Sequence, residues 1–494
     1  MSNNSENSYK NTLKATSIFG GVQVFIIIIQ ILKSKAVAVL IGPTGMGILG
    51  LITQTIALLS AATNFGLETS AVKNISMADS SEDKTHLAKT VSVFQKLVFF
   101  TGTIGFLLCI VFSPLLSEIV FDNRLYTSAF IVVSISLLFM QLTAGQNAVL
   151  QGLRKIKLLA KANIFSALVG LLVAVPIYYC YGTKGIPASI TISSLAVFII
   201  TYFFARDIPL PKISFDRSVF KTEGVSMLKM GFLLSMTSLI TIGSSFLVRI
   251  FITKTGSIED VGFYNAGFAI IESYVGIIFT AMAKDYYPKL SMVSNDIEMR
   301  NREINEQTEI ALLLLMPILT VFILVLKYIV IILYTREFVV TVEMIEFATL
   351  GMFLRAVSWP MAYLLLAKGD SKVFFWTELL TTFYIILFNI VGYKFWGLKG
   401  IGVAFILIYF FYSIQIFVTI KKMYAYRMDT SLIKIFFIGT VLIILQFINV
   451  NYISSEVLKY LLGTIICGVS IFITYKKLND KIGIFEFIKN KISK

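Results

Sequence analysis

From Ala36 to Leu67 the chain runs 32 residues without a charged side chain, and Leu125–Leu153, Ala162–Thr183, Gly185–Ala205 and Gly400–Ile420 repeat the pattern. About 20 apolar residues are enough to cross a bilayer as a helix. Inside hydrocarbon every backbone N–H and C=O needs an internal partner, so only helices or a closed barrel can span. The runs lack the polar/apolar alternation of barrel strands, and the expectation is an all-α polytopic membrane protein. Composition agrees: 14% of the side chains are charged, where a soluble domain has roughly a quarter.

The apolar pattern places fourteen helices, at roughly 15–35, 45–66, 91–112, 126–150, 162–181, 185–205, 228–252, 262–284, 308–334, 343–367, 372–394, 398–420, 432–449 and 457–475. With the N-terminus inside, 30 of the 43 Lys and Arg fall on the N-terminal side of the membrane and 10 on the other, with Lys96, Arg249 and Arg355 in the spans. That excess follows the positive-inside rule and puts both termini in the cytoplasm. The formal charge of +15 is therefore a topology signal and a source of attraction to anionic lipid headgroups, not a nucleic-acid signature.

Gly-x-Lys-Gly-Ile occurs twice, starting at Gly182 and Gly397, an offset of 215. Leu13-Lys14 and Leu228-Lys229 keep that offset, as do Gly47 and Gly262, while Gly152-x-x-Lys155 and Gly369-x-x-Lys372 are 217 apart. The repeated unit holds six helices, an even number, so both copies enter the membrane in the same sense. The expected architecture is two six-helix lobes related by a pseudo-twofold axis along the membrane normal, as in transporters that work by alternating access. The expected organisation is a cytoplasmic segment 1–14, an N-lobe 15–205, a linker 206–227, a C-lobe 228–422, accessory helices within 423–475 and a basic cytoplasmic tail 476–494. Helices 13 and 14 stand outside the repeat and read equally as an accessory hairpin or an oligomer contact. Gly-x-Lys-Gly-Ile reads as the external corner joining the last two helices of each lobe, where glycine permits a positive φ.

Charges inside spans are costly and ask for a reason. Lys33 and Lys35 lie in the outer part of helix 1, and the repeat offset sets Arg249 of helix 7 between them. Ser238, Thr241, Ser245 and Arg249 share one face of helix 7, and Gln23 and Gln30 share a stripe on helix 1 with Lys33 beside it. These are candidate walls of a wet cavity that binds an anion such as a lipid diphosphate. The competing reading is that hydroxyls satisfy backbone carbonyls and cations such as Lys35 snorkel to headgroups. Glu272 lies mid-span on the face of Asn265; it reads as a partner of Arg249 or Arg355, or as the protonatable group of an ion-coupling site. Arg355 is accounted for by phosphate binding or by a pair with Glu272.

No phosphate-binding loop and no metal-ligand cluster is present, so no catalytic residue, metal or cofactor is expected. Energy would come from an H⁺ or Na⁺ gradient, the membrane potential or the substrate's own gradient. His86 is the only histidine, and Cys109, Cys180 and Cys467 lie in apolar runs as expected buried thiols. The polar N-terminus followed by a double apolar run gives no cleavable signal.

Four stretches lie in this order along the chain: LIGPTGMGILG after helix 1, LQGLRKIKLLAKAN after helix 4, EDVGFYNAGF opening helix 8 and LLAKGDSKV after helix 10. Together they resemble the Wzx-type O-antigen and lipid III flippases of the multidrug/oligosaccharidyl-lipid/polysaccharide (MOP) exporter superfamily, over about residues 10–425. The resemblance implies a V-shaped pair of lobes in a bacterial inner membrane. It also implies transfer of an undecaprenyl-diphosphate-linked oligosaccharide, as in O-antigen and lipopolysaccharide biosynthesis, from the cytoplasmic to the periplasmic leaflet. By the same likeness Lys35 and Arg249 are expected cations of the central cavity, Glu272 its acidic residue and Arg355 a further basic one. Implied partners are the lipid-linked glycan, membrane lipids, the polysaccharide polymerase and a chain-length regulator. Fourteen helices depart from the commoner twelve. The rival readings are a drug/cation antiporter of the same superfamily, a membrane glycan polymerase, which usually needs a larger external loop, and a scaffold for polysaccharide assembly.

Overall fold

The computed structural model describes residues 2–81, 83–206 and 217–482, and no strand occurs among them. Parts of the expected linker and basic tail lie outside the described residues. The helices are α1 (Ser2–Asn64), α2 (Leu67–Ser80), α3 (Lys84–Val111), α4 (Ser113–Phe121), α5 (Thr127–Gly152), α6 (Ile156–Tyr181), α7 (Ile186–Ala205) and α8 (Arg217–Thr255). They continue with α9 (Ile258–Ala269), α10 (Ile277–Val293), α11 (Ile297–Leu333), α12 (Thr341–Lys368), α13 (Ser371–Tyr424), α14 (Thr430–Tyr452) and α15 (Glu456–Ile482).

Ten helical stretches among the described residues are long and apolar enough to cross a membrane. Three of them, Phe25–Asn64, Ile156–Ala205 and Ser371–Tyr424, each contain a backbone break. In α1 the break is Gly42 (φ 62°, ψ −172°), where Pro43 lacks an N–H and forces its predecessor out of the helical region. Counting both sides of each break, and adding the 28-residue α12 with its Glu343, Glu346 and Arg355, gives the fourteen spans expected from the sequence.

The other two breaks are the repeated Gly-x-Lys-Gly-Ile segments, and they have one conformation. Gly182 has φ 54° and ψ −136°, Gly397 φ 59° and ψ −140°. This region of backbone space is nearly closed to residues with a Cβ. The second glycine of each copy serves close packing of the two helices that follow and precede it. A Cβ on Gly185 would lie 2.8 Å from Ile177 Cγ2, and one on Gly400 would strike the Gly392 carbonyl. Ile177 and Gly392 are again 215 apart, so the corner is reproduced down to the residue it packs on.

The described chain forms two compact units, residues 1–262 with 333–335, and residues 263–332 with 336–494. The core of the first is built on α2, whose Leu67, Ala71, Ile75 and Ala78 pack with Phe94, Leu97 and Val98 of α3, Ala148 and Val149 of α5, and Met227 of α8. Asp83 caps α3, accepting from Thr85 N (2.9 Å) and His86 N (3.1 Å). Those two backbone bonds, His86 first, hold its carboxyl below the ordinary range. Helix α8, the first element of the sequence-derived second lobe, stands in this unit. Ser70 Oγ donates to the Met227 carbonyl (3.0 Å) and Gln54 Nε2 to that of Ile242 (3.1 Å). The backbones of Gly66 and Gly231 meet so closely that a Cβ on either would strike the other's chain, and the repeat mates Gly47 and Gly262 meet likewise.

In the second unit α12 packs on α13, and α14 and α15 are tied to α11 and α12. Asn451 Nδ2 donates to Glu346 Oε2 (2.9 Å), Thr474 Oγ1 to the Leu313 carbonyl (2.9 Å), and the Thr320 and Ser470 hydroxyls are 2.9 Å apart. The connection from α13 to α14 is clamped by the start of α11. Arg300 donates to the Tyr424 carbonyl, Asn301 Nδ2 to that of Ala425 (3.2 Å) and Asn305 Nδ2 to that of Arg427 (2.9 Å). Many large apolar side chains, among them Leu172, Trp376, Phe437 and Phe472, face outward, as lipid-facing residues do. Cys180 is also exposed, unlike Cys109 and Cys467; an apolar run here faces lipid as readily as protein, which is why the buried-thiol expectation fails at that position.

Nothing lies within 4 Å of the Cβ position at Gly397, so Gly397→Ala isolates the backbone term. It should lower the stability of detergent-purified protein by about 1–3 kcal/mol, seen as a reduced melting temperature. Gly468→Ala, with ordinary φ and equally open space, should be neutral; an unchanged melting temperature in Gly397→Ala would contradict the corner.

Candidate functional site

Within the first unit a cavity of about 470 Å³ lies among α1, α5, α6 and α7 and the start of α2. Helical spacing supplies its polar lining: Gln30 and Lys33 are one turn apart on α1, as are Thr143 and Asn147 on α5. Ser166 and Gly170 from α6, Ser193 and Ser194 from α7, and Glu68 from the first turn of α2 complete it, with Ile29, Met140 and Val197 as apolar wall. Gly170 leaves room beside the lysine; a Cβ there would lie 3.7 Å from Lys33 Nζ and meet nothing else within 4 Å.

Lys33 and Glu68 are both half-buried, and neither has a hydrogen bond or ion pair among the described residues. Asn147 Oδ1 and Ser193 Oγ are buried without a hydrogen-bond partner. Buried polar atoms nearly always have one. The cavity thus brings together one cation and one carboxylate able to engage a polar guest, with two unsatisfied oxygens packed in the residues of its wall.

Two other candidate cations of the first unit, Arg249 and Lys35, are engaged with backbone. Arg249 Nη1 donates to the Ser245 carbonyl one turn earlier (3.0 Å), and Lys35 Nζ donates to the Tyr334 carbonyl in the 333–335 segment of the same unit. On α8 the Thr241 hydroxyl donates to the Thr237 carbonyl (3.0 Å), as the backbone-satisfaction reading expects, and Ser238 is exposed with it. Gln23 is exposed on α1.

In the second unit Arg355 of α12 and Glu272 form an ion pair, with Nη1 2.8 Å from both Oε1 and Oε2. Glu272 lies in a π-helical turn, Ile270–Val275, between α9 and α10. Such wide turns re-aim a side chain and are frequent at functional positions. The guanidinium carbon is 5.3 Å from the Phe279 ring centre and 5.4 Å from that of Tyr409, within the range of cation–π attraction, about 6 Å. Asn265, half-buried on α9, belongs to the same unit.

The fold thus joins Gln30 with Lys33 in one cavity and Glu272 with Arg355 in one pair. Gln23, Lys35, Ser238, Thr241, Ser245 and Arg249 are not among the residues lining that cavity. Sequence reading missed Asn147, Ser193 and the cavity role of Glu68. Asn147 stands beside Gln146 in a polar turn of an otherwise apolar α5, a signal that was present but weak; Ser193 is indistinguishable from a backbone-satisfying serine.

Known proteins place this geometry. Residues 36–343 match the family model described as "Polysaccharide biosynthesis protein". No curated protein matches the chain. Among solved structures, a lipid II flippase MurJ in an inward closed conformation is similar at 14% identity and a TM-score of 0.66, covering 94% of this chain and 99% of that one. An inward-facing multidrug resistance MATE family transporter of the MOP superfamily aligns at 13% identity and TM-score 0.65, over 85% of this chain and 99% of its own. A MOP superfamily transporter from Pyrococcus furiosus gives 14% and 0.57, with coverage of 83% and 96%. The backbone is that of the MOP transporters, and the chain belongs to the polysaccharide biosynthesis protein family.

Proposed function

We propose that this chain is a flippase that carries an undecaprenyl-diphosphate-linked oligosaccharide, an O-antigen or related surface-polysaccharide repeat unit, from the cytoplasmic to the periplasmic leaflet of a bacterial inner membrane. The observation that carries the reading is that a polysaccharide-biosynthesis family match covers residues 36–343 of a chain with a transporter backbone. A membrane protein of polysaccharide synthesis built as a transporter moves the intermediate rather than making it. Alternating access is the mechanism suited to a parallel six-helix repeat.

In this reading the basic residues attract the diphosphate and glycan. Lys33 lines the cavity of the first unit with its ammonium uncommitted among the described residues. Arg249 and Lys35, which donate to the Ser245 and Tyr334 carbonyls, are further cations of this reading, since guanidinium and ammonium groups are both donors to phosphate oxygens. Arg355 is paired with Glu272, so its role is to hold the π-helical turn, and the pair is the candidate site at which a coupling cation would compete with Arg355 for the carboxylate. The antiporter reading draws on one specific feature, the unpartnered Glu68, a carboxylate that a cationic drug could use.

Cells lacking the gene should accumulate lipid-linked oligosaccharide on the cytoplasmic leaflet, and wild type but not Arg249→Ala should relieve it at equal membrane abundance. Normal surface glycan without accumulation would reject the flippase in favour of drug efflux. For the pair, Arg355→Gln and Glu272→Gln should each destabilise the protein, and the double variant should recover about 0.5–3 kcal/mol relative to the sum of the two. Strict additivity would show that the two side chains do not interact.

A further inference from the structure

We propose that the cavity of the first unit is a saccharide pocket that holds one sugar residue of the transported headgroup, with Lys33 and Glu68 as its two charged hydrogen-bonding groups. The inference rests on the flippase reading and deepens it, because it separates recognition of the glycan from attraction of the diphosphate.

The charge pattern selects the ligand class. A metal ion or ammonium compound in this cavity would meet the Lys33 ammonium, and inorganic phosphate would meet the Glu68 carboxylate. A polyhydroxylated ring is repelled by neither, since its hydroxyls accept from the ammonium and donate to the carboxylate. The two buried oxygens without partners, Asn147 Oδ1 and Ser193 Oγ, lie on neighbouring helices lining the same cavity. Gln30, Thr143 and Ser194 line the same cavity, and their amide and hydroxyl groups both donate and accept, as adjacent sugar hydroxyls require. Ile29, Met140 and Val197 supply an apolar wall for the C–H face of the ring.

Size and placement agree. The volume, about 470 Å³, falls within the range of small-ligand sites, about 300–1,000 Å³. Lining groups come from α1, α2, α5, α6 and α7, so a guest would bridge most of the helices of this unit and its binding would be felt by all of them. Gly170, which crowds nothing but the Lys33 ammonium, is the position at which the cavity can be filled without disturbing the helix packing.

The test uses the full chain purified in lipid nanodiscs and two probes: undecaprenyl diphosphate, and the lipid-linked oligosaccharide extracted from cells of the same strain depleted of this protein. Wild type should bind the sugar-bearing lipid at least about tenfold more tightly than the bare diphosphate lipid. Gly170→Leu should abolish that preference while leaving affinity for undecaprenyl diphosphate within about twofold. Glu68→Gln, which preserves shape, should reduce the preference and covers the case in which the filled variant does not fold. A preference intact in Gly170→Leu and Glu68→Gln would overturn the pocket and leave the flippase standing. Wild type binding neither probe would overturn the flippase reading and the pocket with it.

Discussion

Backbone hydrogen bonding in a solvent that offers no partner is the constraint on which this structure depends. In hydrocarbon each peptide group must close its bond within its own segment, so the chain is helical wherever it is apolar and leaves the helix only where a residue can reverse direction in a turn or two. Glycine does this at Gly182 and Gly397, which adopt the same positive-φ conformation one repeat apart. The following glycine then lets the two arms of the hairpin close on Ile177 and Gly392. At Gly42 the same conformational freedom is used with Pro43 to break α1 without a loop.

Side-chain charge follows the same rule at several positions. Arg355 has Glu272 and two aromatic rings, Lys35 the Tyr334 carbonyl and Arg249 the Ser245 carbonyl. Lys33 and Glu68 have no such partner among the described residues, and they line the same cavity as Asn147 and Ser193, whose Oδ1 and Oγ are unsatisfied. Burying polar groups without partners is unfavourable, which is the ground on which the saccharide pocket is proposed.

Much of this was legible in the sequence because it follows from local pattern. Fourteen spans are readable from apolar runs, and the Gly-x-Lys-Gly-Ile corner from a spacing repeated at 215. Gln30 and Lys33 share a cavity because i and i+3 share a helix face. What was not legible depends on neighbours far apart in sequence. Glu68, in the first turn of α2, gains significance only when it is seen to line one cavity with residues of α1 and α5, and Asn147 and Ser193 only together. The choice of Arg355 over Arg249 as the Glu272 partner depends on a π-helical turn that hydropathy does not register. The adherence of α8 to the first unit rests in part on the close backbone approach of Gly231 to Gly66, which no side-chain pattern announces.

Transfer across a bilayer is the central claim, and reconstitution reads it directly. Purified chain would be placed in vesicles carrying the extracted lipid-linked oligosaccharide in both leaflets, and the glycan open to an impermeant oxidant outside would be followed with time. The account predicts that inner-leaflet glycan becomes accessible only in vesicles holding the protein, and more slowly with Arg249→Ala. Kinetics identical to protein-free vesicles, with the protein folded and inserted, would contradict it.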